Sequence, residues 1–214
     1  LEQHDDRETI TAEAVLVAVG VTGNGENLGL EKVGVTMEQG FIPVDAYCRT
    51  TRTGIYAIGD VTGPPLLAHV ASAQGHVAAE HAAGLSPHPV RSDRIPGCTY
   101  CRPQVASVGF TEAEARRQGL KVKVGRFDFR ANGKATATGQ TEGFIKLIFD
   151  ETYGELVGAH ILGENATELI AEMNLALTLE ATWDEVGNTI HAHPTLSEAV
   201  MEAALDAQGK AIHH

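Results

Sequence analysis

Thr53-Gly54-Ile55-Tyr56-Ala57-Ile58-Gly59-Asp60 is the stretch that indicates the fold most directly. Its apolar residues predict a short strand over 54–58 that ends at Gly-Asp, and an Ala-rich run of helical spacing follows from His69 to Ala83, with Gly84 at its end. This order places the Asp60 carboxylate at the carboxyl edge of a sheet, where open α/β folds bind small ligands. An acceptor-only carboxylate suits a sugar or ribitol hydroxyl. The alternative is an Asp that closes a turn.

The sequence on either side predicts two differently organised parts. Upstream, the apolar run Ala14–Gly20 predicts a core strand so close to Leu1 that we expect the chain to be a piece of a longer protein. Pro and Ser residues over 86–93 predict a boundary. An α+β segment is expected beyond it, with strands around 106–109, 121–129, 143–149 and 156–161, a capping box at Thr111–Glu114, and a helix over 166–179 that places Met173, Leu175, Leu177 and Leu179 in the core.

Composition and charge exclude several classes of protein. The 214 residues carry 16 Lys and Arg against 28 Asp and Glu, a formal net charge of -12. This acidity argues against a nucleic-acid partner and against docking on an anionic membrane surface. No apolar run approaches the length of a membrane span. Three cysteines are too few for a disulfide scaffold, which favours a reducing compartment: the cytoplasm, or an organelle matrix in a eukaryote.

Two motifs that often mark cofactor sites are interpreted here as ordinary structure. Gly23-Asn24-Gly25 with Gly29 lacks the spacing of a dinucleotide fingerprint, which must open a helix, and we expect Lys32-Val33-Gly34-Val35 not to be helical. Cys98-Thr99-Tyr100-Cys101 is a lone C-x-x-C in an extended-looking stretch, so neither a zinc site nor a helix-terminal redox pair is expected. We interpret Cys98, Cys101 and Cys48 as structural or incidental thiols, and expect no metal.

The best catalytic candidate is His191-Ala192-His193-Pro194-Thr195-Leu196-Ser197-Glu198. Pro194 restricts His193 to an extended conformation and could itself adopt the cis form. One interpretation is a His193–Glu198 pair in which the carboxylate orients the ring and stabilises its charged form. The other is structural: Thr195 and Glu198 match a capping box for a helix that runs to about Leu205, and His193 is a surface imidazole.

Read in order, these segments resemble the dihydrolipoamide dehydrogenases, which are class I pyridine nucleotide-disulfide oxidoreductases. The resemblance covers essentially the whole chain. The Gly-Asp motif is shared by many flavoproteins that bind two dinucleotides, whereas the segment from His191 to Glu198 is more specific. The matching segments are Val15–Gly20, Glu26–Glu31, Tyr56–Asp60, Leu66–His69, Gly158–Gly163 and His191–Glu198.

The resemblance implies a fold and a set of roles. The fold would combine α/β and α+β parts: the end of an NAD-binding domain over 1–20, a central FAD-contacting domain over 21–93, and a dimerisation domain over 94–214. Asp60 would bind the FAD ribitol, the backbone of Leu66, Leu67, Ala68 and His69 would run beside the flavin, and Gly20 would lie near NAD. His193, paired with Glu198, would be the acid–base group and would act across a homodimer interface on the partner's flavin–disulfide centre.

The implied enzyme reoxidises the dihydrolipoamide of 2-oxo acid dehydrogenase complexes, where it is a partner of the lipoyl acyltransferase subunit. Two departures matter: Val21 stands where the family usually has a basic residue, and the redox-active cysteine pair and both dinucleotide fingerprints are absent. We therefore expect the chain alone to be inactive. The alternatives are a glutathione- or mercuric-reductase-like enzyme and a non-catalytic dimerisation module. The end soon after Lys210, without a further cysteine pair, disfavours a mercuric reductase.

Overall fold

A computed structural model describes residues 9–213, so the first eight residues of the predicted segment 1–20 lie outside the described part. The chain divides into two compact units, Leu1–Val90 and Arg91–His214, and each is described by itself. The predicted mixed α/β fold class is confirmed, and its sheet is antiparallel.

From residue 9 onward, the first unit contains two helices, α1 (Leu30–Val33) and α2 (Ala68–Ala82), and a 3₁₀ turn at Gly59–Thr62. Gly84, at φ 80°, follows the end of α2, as its position in the sequence predicted. The strand predicted over 54–58 is reduced to one antiparallel bridge between Arg49 and Tyr56. The prediction of a strand was wrong because the chain folds back on itself here in a tight turn: the N–H of Ile55 donates to Arg52, which leaves room for only a few cross-chain hydrogen bonds.

The strand predicted over 14–20 is also wrong. Val15, Leu16 and Val19 are 82%, 90% and 92% exposed, and the segment forms no ladder with any residue of the described part. A strand exists only where a neighbouring strand accepts and donates its backbone hydrogen bonds. The apolar pattern of 14–20 alone is therefore not sufficient to form a strand in the described part of the chain.

The prediction that 32–35 is not helical needs a smaller correction. Lys32 and Val33 belong to α1, a single turn enclosed by Gly29 at φ 68° and Gly34 at φ 74°. Both glycines adopt the left-handed conformation that other residues seldom adopt, which starts and stops the turn within four residues. The helix is far too short to form the long helix of a dinucleotide fold.

The second unit is built on a five-stranded antiparallel sheet in the order β1-β2-β5-β4-β3. Its strands are β1 (Gly97–Thr99), β2 (Gln104–Gly109), β3 (Val122–Asp128), β4 (Gly143–Asp150) and β5 (Leu156–Gly163). In the long central pairing, Ile145 lies opposite Ile161 and Leu147 opposite Ala159. These four side chains are at most 1% exposed, so one face of the sheet forms the core.

Five helices accompany the sheet: α3 (Glu112–Arg117), α4 (Gly133–Thr138), α5 (Ala166–Thr178), α6 (Trp183–Asn188) and α7 (Glu198–Ala207), with 3₁₀ turns at Ser92–Arg94 and Phe129–Ala131. The predicted capping box of α3 is confirmed: the Thr111 hydroxyl accepts from Glu114 N–H while the Glu114 carboxylate accepts from Thr111 N–H. Helix α5 packs on β2 and β5, and α7 packs on β3 and β4. The largest fully buried side chains are Phe129, Phe149, Ile145, Leu147, Ile148, Leu156, Ile161, Met173, Leu177 and Val200.

The expected core positions of α5 are only half correct. Met173 and Leu177 are buried, but Leu175 and Leu179 are 60% and 69% exposed. Residues four apart share a helix face, whereas residues two apart point to different sides. The two pairs therefore occupy opposite faces, and only one of them meets the sheet.

Candidate functional site

The loop between α6 and α7 brings His193 and Glu198 together. The Nδ1 atom of His193 lies 2.9 Å from one carboxylate oxygen of Glu198, and the other oxygen accepts the backbone N–H of Thr195 at 2.8 Å. The peptide bond between His193 and Pro194 is cis. Glu198 thus occupies the first position of α7 with both oxygens engaged.

The capping box predicted for this helix is only half formed. Thr195 N–H does bond the Glu198 carboxylate, but the Thr195 hydroxyl donates to Ala192 O at 2.6 Å instead of accepting from the helix. The N-cap is Ser197, without a side-chain hydrogen bond. A single carboxylate therefore contacts the His193 ring and also accepts a backbone N–H at the start of α7.

The second nitrogen of the His193 ring, Nε2, faces away from the Glu198 contact made by Nδ1. The side chain is 75% exposed, and no residue of the described chain makes a hydrogen bond with Nε2. Because Nδ1 faces a carboxylate, we assign its proton to Nδ1, which leaves Nε2 of the neutral ring as an acceptor. This arrangement can take a proton from a group that approaches from solvent while Glu198 stabilises the resulting imidazolium.

The electrostatics of Glu198 follow from its contacts. Burial by itself raises the pKa of this carboxyl, but the hydrogen bonds from Thr195 N–H and the His193 ring, with the charges of His193 and His191, outweigh it, and the pKa lies below its ordinary value of 4.5. The carboxylate therefore stays ionised at neutral pH.

A titration tests this contact. Since the pKa of Glu198 is lower in the folded chain than in the unfolded one, its contribution to stability is present above about pH 4.5 and is lost as pH falls through the folded pKa. We expect the carboxyl ¹³C resonance of Glu198 to titrate below 4.5 in the wild type and closer to 4.5 in His193→Ala. An unchanged midpoint in the variant would show that His193 does not interact with this carboxylate.

A cleft of about 270 Å³ opens beside the pair. Its wall combines apolar side chains with a second His–carboxylate contact, in which the 3%-exposed Glu202 accepts from the backbone of Ile212 at 3.1 Å and lies 2.6 Å from His213 Nδ1. The lining residues are Phe127, Ala131, Asn132, Gly133, His193, Glu198, Met201, Glu202 and His213.

Sequence reasoning missed three groups around the loop: Asn132, the Glu202–His213 pair, and His191 with Glu172. The buried Asn132 caps α4 and donates to Thr195 O at 3.0 Å, across 63 residues of sequence. The sequence could have indicated only one of these groups: Glu202 follows Glu198 by four residues, a spacing that places both side chains on one face of a helix.

The residues predicted to contact cofactors lie in the first unit. Asp60 belongs to the 3₁₀ turn that rests against α2: Gly59 N–H donates to the Gln74 side chain at 2.7 Å. Leu67 is the N-cap of α2, so Leu66, Ala68 and His69 lie at the start of the same helix. The Asp60 carboxylate is exposed and makes no hydrogen bond or ion pair within residues 9–213. Gly20, at φ 120°, is exposed in the segment that forms no strand.

The three cysteines are free thiols. Burial raises the pKa of Cys48 and of Cys98, which keeps both protonated at neutral pH, and Cys101 is exposed at the turn after β1. No three metal-binding side chains cluster anywhere in residues 9–213, and no helix of that range is long and apolar enough to cross a membrane.

Comparison with known proteins places the chain in a family. Residues 95–204 match the model of the pyridine nucleotide-disulphide oxidoreductase dimerisation domain, and residues 2–75 match the pyridine nucleotide-disulphide oxidoreductase model. The chain belongs to this family of oxidoreductases. Curated relatives within it are named dihydrolipoyl dehydrogenase: that of Rhizobium etli is 52% identical over 207 residues, and that of Bacillus subtilis 49% identical over 215 aligned residues.

Solved structures also match this chain. LpdA from Mycobacterium tuberculosis matches 86% of this chain and 40% of its own with a TM-score of 0.81 and 33% identity. The flavoprotein disulfide reductase RclA from Escherichia coli in its Cu(II) complex matches 94% of this chain and 46% of its own with a TM-score of 0.87, and at 24% identity it shows the fold alone. The alignments cover 96% and 100% of this chain but only 43% and 45% of the Rhizobium and Bacillus relatives, so the chain spans less than half their length.

Proposed function

We propose that this chain supplies the acid–base half of a dihydrolipoyl dehydrogenase. The observation that carries the proposal is the His193–Glu198 contact, in which an ionised carboxylate holds Nδ1 at 2.9 Å while the side chain is 75% exposed and Nε2 makes no hydrogen bond within residues 9–213. Its support is the family membership and the name shared by the curated relatives.

In the proposed reaction, Nε2 of His193 removes a proton from a dihydrolipoyl thiol. The thiolate is the competent nucleophile in thiol–disulfide exchange, so this proton transfer starts the reaction. Glu198 holds the ring in the correct tautomer and stabilises the imidazolium that forms. Overall the dithiol loses two electrons and two protons and closes to a disulfide, while NAD takes up a hydride and one proton is released.

The first unit offers groups that suit the flavin and the nicotinamide cofactor of this family. Asp60 presents an exposed carboxylate to which a ribitol hydroxyl could donate, and the segment from Leu66 to His69 leads into the N-terminal end of α2. When bound, FAD carries electrons from the thiol centre to NAD. We propose that Asp60 and the backbone from Leu66 to His69 contact the flavin and that Gly20 lies near NAD.

The proposed partners and location follow from the same identification. A second copy of the chain would bind through the residues of the second unit, and the lipoyl acyltransferase subunit of a 2-oxo acid dehydrogenase complex would present the substrate. The free thiols suit a reducing compartment, and we propose the cytoplasm.

A substrate panel tests the function. In the full-length protein that contains this sequence, we expect NAD reduction by dihydrolipoamide to exceed NADPH-dependent reduction of glutathione disulfide or Hg(II) by roughly 100-fold or more in kcat/KM. The 214-residue chain alone should turn over none of them. Faster reduction of glutathione disulfide or Hg(II) would replace the proposal with the corresponding reductase.

One observation favours a second candidate, a dimerisation module without catalysis. The exposed Leu175 and Leu179 of α5 border a groove of about 580 Å³ that extends to Val186 of α6. Exposed apolar side chains of this size, grouped on one helix face, are typical of an interface. This candidate and the enzyme are compatible, since a dimerisation domain matches this unit.

The same face gives a prediction for the oligomeric state. Replacing Leu175 and Leu179 together by Asp should raise the dissociation constant of the dimer roughly 100-fold or more, because two buried leucines each stabilise an interface by about 1.5–3 kcal/mol. Sedimentation velocity measures this change. Tyr153→Asp, which alters a 79%-exposed aromatic in the β4–β5 turn, is the matched control and should leave the dimer intact. Equal dimerisation of all three proteins would move the interface elsewhere.

A further inference from the structure

The loop that carries His193 holds two histidines, His191 and His193, whose side chains differ sharply in exposure. Between the end of α6 and the start of α7, the His193 side chain is 75% exposed, whereas that of His191 is only 6% exposed. Side chains two residues apart in an extended segment usually face the same side. The turn at Ala192–Thr195, closed by the Thr195 hydroxyl on Ala192 O, reverses this pattern and directs His191 inward.

Both ring nitrogens of His191 are engaged. Nε2 lies 2.8 Å from the carboxylate of Glu172 on α5, and Nδ1 lies 3.0 Å from the carbonyl oxygen of Thr189. A carbonyl and a carboxylate both accept hydrogen bonds, so each nitrogen must carry a proton and the ring is an imidazolium. Glu172 on α5 and Glu198 at the start of α7 are the charged groups that act on it.

The electrostatics agree with this charge state. The hydrogen bond to Glu172 raises the pKa of His191 above its ordinary value of 6.5, although burial of the ring opposes the rise. A buried imidazolium without its carboxylate would be strongly disfavoured. His191 therefore fastens the first half of the loop to α5 as an ion pair.

The second half of the loop has a separate anchor. Asn132 Nδ2 donates to Thr195 O at 3.0 Å, and Glu198 accepts Thr195 N–H at 2.8 Å. His193 lies between the two anchors, and within residues 9–213 its side chain makes a hydrogen bond with Glu198 alone. Its position is thus set by the backbone on either side, which an acid–base group needs because displacements of about 1 Å cost large factors in rate.

We propose that His191 is a positioning residue: its imidazolium, held between Glu172 and Thr189 O, fixes the loop so that His193 stays against Glu198. This inference rests on the proposed function of His193. Without the ion pair the first half of the loop separates from α5, and the His193 ring spends less time in the Nδ1–H tautomer that Glu198 selects.

Histidine-ring NMR on the ¹⁵N-labelled 214-residue chain tests the proposal. We expect long-range ¹H–¹⁵N spectra to show His193 mainly as the Nδ1–H tautomer, with that population at least halved in His191→Leu. Amide hydrogen exchange over 190–195 should accelerate roughly 10-fold or more in the same variant. Unchanged tautomer and exchange in a folded His191→Leu chain would overturn the proposal and leave His191 as a packing residue.

A conservative variant covers the case in which His191→Leu does not fold. Glu172→Gln keeps an oxygen that can accept from Nε2–H but removes the charge, so His191 should titrate closer to its ordinary pKa and the loop should exchange faster above that midpoint. Glu168→Gln, one turn earlier on the exposed side of α5, removes the same charge as the matched control and should change neither. Equal behaviour of the two Gln variants would also overturn the proposal.

The outcomes separate this proposal from the proposed function. None of these spectra requires lipoamide, FAD or NAD. The positioning role of His191 can therefore be disproved while dihydrolipoamide turnover remains intact. A wild-type chain in which His193 shows no preference for the Nδ1–H tautomer would instead remove the geometric basis of the function itself.

Discussion

His193→Ala in the full-length protein is expected to lower kcat for dihydrolipoamide oxidation by roughly 10²–10⁴-fold, the usual contribution of a general acid–base group. The loss follows from the geometry: Nε2 is the open acceptor of the pair, and no other imidazole of the described chain shares the Glu198 carboxylate. Bound flavin should be unaffected, because the residues proposed to hold it belong to the first unit and His193 to the second. Steady-state NADH formation and the flavin absorbance of the same sample measure both quantities.

Two further variants make this result interpretable. Glu198→Gln removes the charge that stabilises the imidazolium and should cost roughly 10- to 100-fold, the value of one hydrogen bond to a charged group. His88→Ala changes an exposed histidine in the segment before residue 91 and should behave as wild type. Near-normal turnover in His193→Ala would end the assignment of this residue as the acid–base group.

Gly125→Ala is expected to give the largest loss of stability, with the free energy of unfolding of the second unit lowered by about 3 kcal/mol or more. Gly125 lies in β3 where α7 crosses it, and a methyl group there would overlap the carbonyl oxygen of Ala203 and come within 2.8 Å of the backbone nitrogen of Ala207. Both atoms are backbone of α7, so the helix must move as a body. Helix α7 begins with Glu198, and the His193–Glu198 pair would therefore be displaced as well.

Urea unfolding followed by the fluorescence of Trp183 measures this effect, since the single tryptophan of the chain lies in α6 of the same unit. Gly97→Ala is the matched control: it also adds one methyl group to a strand of this sheet, but the nearest atom would be 3.8 Å away, at the Ser107 hydroxyl. We expect Gly97→Ala to change stability by less than about 1 kcal/mol. A similar change in the two variants would mean that α7 does not press on β3 at this point.

Local patterns predicted the second unit well. The apolar periodicity placed β2, β3, β4, β5 and α5 within two residues of their observed bounds, and the Thr111–Glu114 capping box marked the start of α3. These predictions succeed because a half-buried strand or helix shows its alternation of apolar and polar residues within a short stretch of sequence. The spacing of His193 and Glu198 likewise indicated a pair that the structure brings to hydrogen-bonding distance.

The first unit was predicted less well, for a physical reason. The run Ala14–Gly20 has the composition of a strand, yet a strand is completed only by neighbours that lie elsewhere in the chain.

The second unit contains a related error. In α5 the sequence showed four apolar positions but could not tell which face meets the sheet, so Leu175 and Leu179 were misplaced. Both errors concern which surface a segment meets, and that information is not local.

By itself, the sequence determined the acidic composition, a boundary between two parts, the α+β character of the second part, and the motif that marks His193 and Glu198. Only the tertiary structure decided what holds that motif in place: His191 against Glu172 on α5, Asn132 against Thr195, and Glu202 against the residues that follow α7. These contacts join residues 10 to 63 positions apart, and they form only after helices and strands have packed. Short-range propensity specifies each element, whereas the position of a catalytic side chain depends on the hydrogen bonds that distant elements supply.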